Sequence, residues 1–526
     1  MARGRIRFVW PTPGLPAFLQ GEDRFTAIVA QEGADAEVLR NWTQRIALRG
    51  VDEGIPIPLE VEAIEPYGSA GADPLISGFA ALGEARRFSF ARIILRASQP
   101  LMPTPPRRVR LYDVLVDGQV ERTRSVAAFV PYEGKLMLAF VADLHLAEAW
   151  DAIADAVDRY APDLAAGLLR PKRLLEQFIG EANSLAAQGQ LDLVVFGGDL
   201  VDHVCPHSHN GVPGTLDDSN VQVLLNALAP LQVPSITIPG NHDYRLYPWR
   251  PRTYGLQAVG IPASRTKVLL QRAGLWSRWP ICLADLHALR TDEIRGRSAL
   301  EHYLTQVAPA TDFSLILHGV RLMFVSTGRD VISQWRDVEF ARSGLLLRSL
   351  SHAWLHPDSE GCSDAQVAQI ASWLQTPGGA AIFFHAPLLR VSNPAGVGRR
   401  VGRVDPGADD NLTTRIAFEL RLKRAGMRNG VCFRNAEPLL RALAAARGPA
   451  VTFSGHVHQA SAIQLDRTDL VLQTVDLAPP TDPAQTVIML TAPALGQVPI
   501  GNHQPPGYFL AHFEGGALVS LDRRLL

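Results

Sequence analysis

The chain has 526 residues, of which 47% are hydrophobic and 20% charged, and its formal net charge is -1. These values are those of ordinary globular material; they exclude a disordered or fibrous chain and leave room for two to four domains around a buried catalytic centre. With charge so nearly balanced, nucleic acid is not indicated as a partner and no global field holds an anionic membrane, although a local basic patch stays open.

The four cysteines, Cys205, Cys282, Cys362 and Cys432, are scattered and form no CxxC pair. Neither a disulfide framework nor a thiolate zinc site is expected, and a reducing cytoplasm is the expected location, that is, a cytoplasmic protein. Arg3, Arg5 and Arg7 imitate the head of an export signal, but Pro11, Pro13 and Pro16 interrupt the adjoining residues and no apolar stretch succeeds them. No run approaches the roughly 18–20 apolar residues that cross a bilayer, so a soluble chain without membrane insertion is expected.

Residues 1–133 hold short β-prone pieces at 6–10, 25–30, 87–95 and 109–116, parted by Gly/Pro-rich turns, and predict a small β-rich domain such as a β-sandwich. The segment 99–107, QPLMPTPPR, is too rich in proline for a central strand and is expected to be a loop. From about 134 apolar runs alternate with amphipathic stretches, as in a layered α/β domain. LMLAFVA (136–142) predicts a buried strand ending at Asp143. After Pro171, Leu174, Leu175, Phe178, Ile179, Ala182, Leu185 and Ala186 recur on one helical face.

LDLVVFG (191–197) and SITIP (235–239) predict further strands, with a helix near 218–229 between them. Residues 244–310 form a long insertion rich in Arg and Trp, and 314–319 with 322–327 predict a β-hairpin. Ser363 and Gln366 form a capping box that starts a helix with Val367, Ile370, Ala371 and Leu374 on its buried stripe. AAIFF (380–384) and AVTF (450–453) predict two more buried strands; between them 390–412 is a Gly/Arg/Asp-rich loop, with helical patterns from there to about 446. The tail 507–524 alternates around Gly515-Gly516, which predicts a closing hairpin.

Five polar clusters stand at the ends of these runs: DLH (143–145), GGDLVD (197–202), GNHD (240–243), FFHAP (383–387) and SGHVH (454–458). Together they supply Asp143, His145, Asp199, Asn241, His385, His456 and His458, a mixture of carboxylate, imidazole and amide oxygen suited to divalent or trivalent metals. Strand ends on one edge of a sheet are where open α/β folds gather their sites. A shared carboxylate has two oxygens to offer, and imidazoles at 456 and 458 would project alike from an extended segment. Gly198, Gly240 and Gly455, each just before a ligand, would let the backbone turn sharply.

In this order, DLH, GDLVD, GNHD, HAP and GHVH resemble the motifs of the calcineurin-like metallophosphoesterases, over roughly residues 136–480. The resemblance implies an α/β fold with a four-layer core, two mixed β-sheets flanked by helices, here preceded by the β-rich domain. The implied division is 1–133, then 134–480 with the insertion 244–310, then a C-terminal extension and closing hairpin at 481–526. It implies two metal ions, Mn, Fe, Zn or Ni, one held by Asp143, His145 and His458 and the other by Asn241, His385 and His456, with Asp199 bridging. Hydroxide bridging two such ions would attack phosphorus while His242 assists the leaving group, and Asp243 would orient that imidazole.

The first cluster carries DxH where purple acid phosphatases have DxG, and Val201 follows Leu200 where those enzymes place Tyr, so a tyrosinate-bound iron is not expected. Asp202 is expected to brace the loop that carries Asp199. Asp285 with His287, and Gly501-Asn502-His503, imitate the motifs out of order and are set aside; His203, His207 and His209 fit a solvated loop. Arg399 and Arg400, with Arg390 and Arg403, are the candidates to clamp a phosphate or cover the site, a solvated arginine-rich loop being the equal alternative. Tyr244 and Arg245 could contact a leaving group.

The substrate implied is a phosphorylated small molecule or nucleotide, with phosphodiesters preferred because DxH with GNHD is similar to the phosphodiesterase branches. The alternatives are a phosphomonoesterase acting on small phosphates or phosphoproteins, and a non-catalytic binding scaffold. The N-terminal domain is open to a protein partner.

Overall fold

In the computed structural model, the described residues are 7–32, 44–52, 54–67, 73–76, 78, 88–131, 134–162, 170–202, 208–209, 212–213, 219–240, 242–243, 263–275, 297–327, 361–391, 400–405, 412–425, 427–429, 435–496 and 504–526. Asn241, Arg399, Tyr244, Arg245, His203, His207, Asp285, His287 and 501–503 lie outside them, as does most of the insertion apart from the helices Ala263–Arg272 and Arg297–Gln306.

The expected N-terminal strands form at Arg7–Trp10, Arg24–Glu32, Phe88–Ala97 and Val109–Val116. They belong to one eight-stranded sheet completed by Ile46–Gly50, Ile57–Tyr67, Gln119–Phe129 and Ala17–Leu19. The segment Gln119–Phe129 is less evident in the sequence because its first half is exposed and charged and only its second half is buried. Residues 99–107 form no strand, as their prolines require.

Two mixed sheets make up the rest of the core. One has five strands in the order Ser235–Thr237, Leu193–Phe196, Lys135–Val141, Gly507–Glu514 and Ala517–Leu525, the first three parallel and the last two antiparallel. The other has eight, in the order Asp312–Leu317, Val320–Val325, Gly379–Phe384, Ala450–Ser454, Thr486–Thr491, Ser461–Asp466, Val471–Val475 and Arg400–Arg403. A row of phenylalanines shares one register position on the second sheet: Phe313, Phe324, Phe383 and Phe453. Their ring centroids are 4.8, 5.0 and 5.2 Å apart in turn, and Phe140 of the first sheet meets Phe383 at 5.8 Å and Phe453 at 5.4 Å. Offset aromatic contacts at these separations add to the area they bury and join the two sheets face to face.

Helices cover the outer faces. Pro171 opens the Pro171–Ala187 helix at its first turn, and Leu175, Phe178, Ile179 and Ala182 are buried, with Phe178 edge-on to Tyr508 at 4.9 Å. Behind the second sheet, Ile370 and Leu374 pack with Leu439, Leu440 and Leu443 against Met323, Ile382 and Phe384. The Asp364–Leu374 helix starts with the expected capping box, Ser363 Oγ accepting from Gln366 N and Gln366 Oε1 from Ser363 N.

Both expected hairpins form, and their turns share one device. His318 and Gly319, and Gly515 and Gly516, all have positive φ, the geometry that matches a two-residue turn to the twist of its strands. Two expectations change. Residues 481–526 are no appendage: Thr486–Thr491 lies between Ala450–Ser454 and Ser461–Asp466, and Gly507–Glu514 pairs with Lys135–Val141. Part of the loop 390–412 is strand, Leu389–Val391 pairing with Met427–Asn429 and Arg400–Arg403 with Val471–Val475.

The N-terminal domain shares one hydrophobic cluster with the core and is bonded to it by polar contacts. Gly14 donates to Val307 O and accepts from Thr237 N, and Arg108 Nε donates to Asp192 Oδ1 at 2.8 Å while its Nη2 reaches Lys135 O. Asp192 has no exposed side-chain surface, so an uncompensated charge there is costly. Arg108→Ala is expected to lower stability by about 3–5 kcal/mol, read as a lowered urea midpoint; an unchanged midpoint would show that the domains do not depend on this pair.

Candidate metal centre

Four backbone hydrogen bonds pair the polar loops within each sheet. Asp143 N donates to Gly198 O, His145 N to Asp199 O, Leu146 N to Leu200 O, and Gly455 N to His385 O. The loops after the strands Lys135–Val141 and Leu193–Phe196 thus lie as a pair, and so do those after Gly379–Phe384 and Ala450–Ser454.

Within these loops Asp143, His145, Asp199, His456 and His458 all have φ between 47° and 69°. Non-glycine residues in this left-handed region cost on the order of 1–3 kcal/mol each and persist where the surroundings over-determine them. His456 and His458 therefore do not alternate along an extended segment. Each is carried by its own left-handed turn, and Val457 N closes between them onto Gly455 O at 2.8 Å.

The glycines work mainly by close approach. A Cβ on Gly240 would strike Asp199 at its backbone N and Oδ1, and one on Gly455 would lie 2.5 Å from Ala142 Cβ and 2.6 Å from Asp143 Oδ2. Only Gly198, with φ +91°, also needs the conformational freedom; its Cβ would meet His385 Nδ1 at 2.6 Å.

Three groups of potential ligand atoms converge: Asp143 with His145 and His458; Asp199 with His385 and His456; and His145 with Asp199 and His242. His145 Nε2 is 3.1 Å from His458 Nε2, and His456 Nδ1 is 3.1 Å from His385 Nε2. Asp199 Oδ2 stands 3.3 Å from His385 Nε2 and 3.8 Å from His145 Nε2, so it reaches both pairs. Neighbouring ligands on a cation with bonds of about 2.1 Å are about 3 Å apart, so the imidazole spacings fit a shared ion. His385 Nδ1 meets Gly197 O at 2.8 Å; as only the nitrogen can donate, its Nε2 is left as the lone-pair atom facing the centre.

The charges tell the same way. Asp143 and Asp199 are buried, and among the described residues no Lys or Arg pairs with either. Burial pushes both carboxyls up, but His458 beside Asp143 and His385 and His242 beside Asp199 outweigh it, leaving both below the usual carboxylate range. Burial, reinforced by His242, pushes His145 down to about 3, so its imidazole is neutral at physiological pH. Ionised carboxylates and neutral imidazoles are the protonation states that metal binding requires. The donor set fits divalent or trivalent metal ions.

His242 joins these groups, with Nε2 3.8 Å from Asp199 Oδ2 and its backbone N donating to Asp199 Oδ1 at 2.8 Å. The carboxylate beside its other nitrogen is Asp202, whose Oδ1 is 3.1 Å from Nδ1. Asp243, expected to orient the ring, instead accepts from the backbone N of Leu200, Val201 and Gly240 and is fully buried beneath the loop. Burial and then the charge of Asp199 push Asp243 up to about 7. The two aspartates thus exchange the parts the sequence suggested, because the Asp243 side chain folds back onto its own turn, a short-range bond open to any Asp in such a position.

Trp150 is an addition that spacing does not reveal: its Nε1 donates to Asp202 Oδ2 at 2.6 Å. The only sequence signal is general, an indole N–H that needs an acceptor. Arg400 stands exposed in an edge strand, and among the described residues no hydrogen bond or ion pair joins it to the centre.

Residues 136–283 match the family model described as calcineurin-like phosphoesterase. No curated protein matches the chain. Among solved structures, the chain is similar to one titled "Structure of PhoD", at 8% identity over 97% of this chain and 84% of that one, with a TM-score of 0.38. A second, "GAP50 the anchor in the inner membrane complex of Plasmodium", aligns at 10% identity over 74% of this chain and 84% of its own, with a TM-score of 0.25. The family match and the site geometry bear on function; likenesses this slight do not.

Gly455→Ala places a methyl group against Asp143 and is expected to weaken metal retention about 10- to 100-fold. Metal content after dialysis against a graded chelator measures this, with cooperative thermal unfolding as the check on folding; full retention would show that Asp143 does not hold an ion.

Proposed function

We propose that this chain is a dimetal-dependent phosphoesterase that prefers phosphodiesters. The observation that carries it is the pair of buried carboxylates, Asp143 and Asp199, ringed by imidazoles and without a Lys or Arg partner among the described residues. Such charge calls for cations. The match of residues 136–283 to the calcineurin-like phosphoesterase family supports the hydrolytic reading.

In this proposal Asp143, His145 and His458 hold one ion, His385 and His456 with Asn241 hold the second, and Asp199 serves both. The two sheets and their outer helices are the proposed four-layer core, with residues 1–133 as the β-rich domain that precedes it. When bound, such ions lower the pKa of water and draw charge from the oxygens of a phosphoryl group. Every other step falls to the chain itself.

His242 is the residue assigned to the substrate. Its side chain is 20% exposed, against 15% for His458 and 0–3% for Asp143, His145, Asp199 and His385, so a ligand can reach it. Asp202 takes the hydrogen on Nδ1, which leaves Nε2 to hand a proton to the departing oxygen. Asp202 also stabilises the ring while it is positively charged. Asp243 keeps Leu200, Val201 and Gly240 in place around Asp199, and so acts on the site through backbone alone. Arg399 and Arg400 remain proposed as contacts for the rest of a phosphorylated small molecule or nucleotide. The scattered cysteines support a cytoplasmic setting.

Loaded with manganese, the protein is expected to turn over bis-p-nitrophenyl phosphate faster than p-nitrophenyl phosphate. Asp199→Asn should lose at least about 100-fold in rate together with bound metal, and His242→Ala about 100-fold with metal retained. Faster monoester turnover would favour the phosphomonoesterase alternative. A metal-loaded wild-type protein with no rate above background on either substrate would favour the binding scaffold.

A further inference from the structure

Trp150 stands in the first turn of the Glu148–Tyr160 helix, five residues after His145. Its indole N–H donates to Asp202 Oδ2 at 2.6 Å, while Asp202 Oδ1 lies 3.1 Å from His242 Nδ1. The same Oδ1 is 3.9 Å from His145 Nδ1, a buried nitrogen with no hydrogen-bond partner among the described residues. The terminal torsion of an aspartate is soft and nearly two-fold. A small rotation would therefore carry the carboxylate from one imidazole towards the other, and the rings of His145 and His242 are in edge contact with centroids 4.7 Å apart.

We propose that Trp150 is a positioning residue: by holding Asp202 Oδ2 it commits Oδ1 to His242 and keeps that ring's Nε2 turned to the centre. Without the indole N–H, Asp202 would be shared between His242 and His145, and neither ring would keep a single orientation. The helix that carries the indole is itself held from outside the centre. Ile153, Ala156 and Val157 on it pack against Leu269 and Leu270 of the Ala263–Arg272 helix. The insertion between the GNHD motif and the second sheet thus has a share in where the indole stands, although none of its described residues belongs to the ligand groups.

The alignment of His242 is independent of what the site does; its effect on rate rests on the proposed role of His242 as proton donor. Both can be read in full-length protein carrying Trp150→Phe, which removes the donor and keeps an aromatic ring. In nitrogen-15 histidine-labelled protein, the proton on His242 Nδ1, assigned by its loss in His242→Ala, is expected to broaden or vanish by solvent exchange. An unchanged resonance overturns the proposal. In the manganese-loaded enzyme, kcat for an alkyl diester, whose leaving oxygen needs a proton, should fall about tenfold with KM changed less than about twofold.

For a nitrophenyl diester the loss should be smaller, and in the His242→Ala background Trp150→Phe should cost nothing further. An equal loss in that background would mean that Trp150 acts on general structure, which also overturns it. Absence of turnover in every form, with the resonance still lost, would sink the phosphoesterase reading and leave the positioning role standing. Should Trp150→Phe fail to fold, replacement of the indole by benzothiophene, which exchanges only the N–H for sulfur, carries the same test.

Discussion

The buried charge of Asp143 and Asp199 is the constraint around which the rest of the centre is arranged. A carboxylate moved from water into a protein interior costs several kcal/mol even after relaxation, unless opposite charge or several donors meet it. Here the described donors are backbone and imidazole: His456 N reaches both oxygens of Asp143 at 2.9 Å, and His242 N reaches Asp199 Oδ1. These bonds direct the carboxylates without neutralising them. In the proposed function the balance of charge would fall to cations, and the low pKa of His145 keeps an imidazole neutral beside the carboxylates.

Holding that arrangement consumes conformational energy, and the fold supplies the rigidity to do so. Five left-handed non-glycine residues sit at strand ends whose strands are buried on both faces. The phenylalanine row between the sheets and the backbone bonds between neighbouring loops leave such residues little room to relax. Close-approach glycines serve the same end, since Gly240 and Gly455 are places where one loop lies against a buried carboxylate of another. Strain concentrated at a site of chemistry is what pre-organisation of a metal cradle requires.

A second tier of polar contacts orients the residues of the centre. His385 is set by Gly197 O, the Asp199 loop by Asp243, and His242 by Asp202, which the Trp150 indole in turn holds. The partners come from three segments: 197–202, 240–243 and a helix that packs on the insertion. The N-terminal domain reaches the same neighbourhood through Gly14, which accepts from Thr237 N on the strand that leads to Gly240, and Tyr303 OH, on the insertion's Arg297–Gln306 helix, donates to Thr237 Oγ1. The β-rich domain is therefore coupled to the core through buried bonds, not tethered by a linker alone.

Much of this was legible in the amino-acid order. Strands ending at Asp143, at the Gly-Asp pair and at His385, the capping box at Ser363, and both glycine-containing hairpins follow from local periodicity and turn chemistry, which short segments carry by themselves. The residues that converge were equally plain as candidates, because Asp and His in fixed order at strand ends are a chemical pattern before they are a spatial one. What the order could not decide was pairing at a distance: Thr486–Thr491 enters the middle of a sheet, Asp202 rather than Asp243 meets His242, and Trp150 meets Asp202. Each of these contacts joins residues that no local rule relates. They arise only when two sheets are packed and the loops between them are brought within hydrogen-bond reach, so tertiary structure alone selects among side chains that the sequence presents as equivalent.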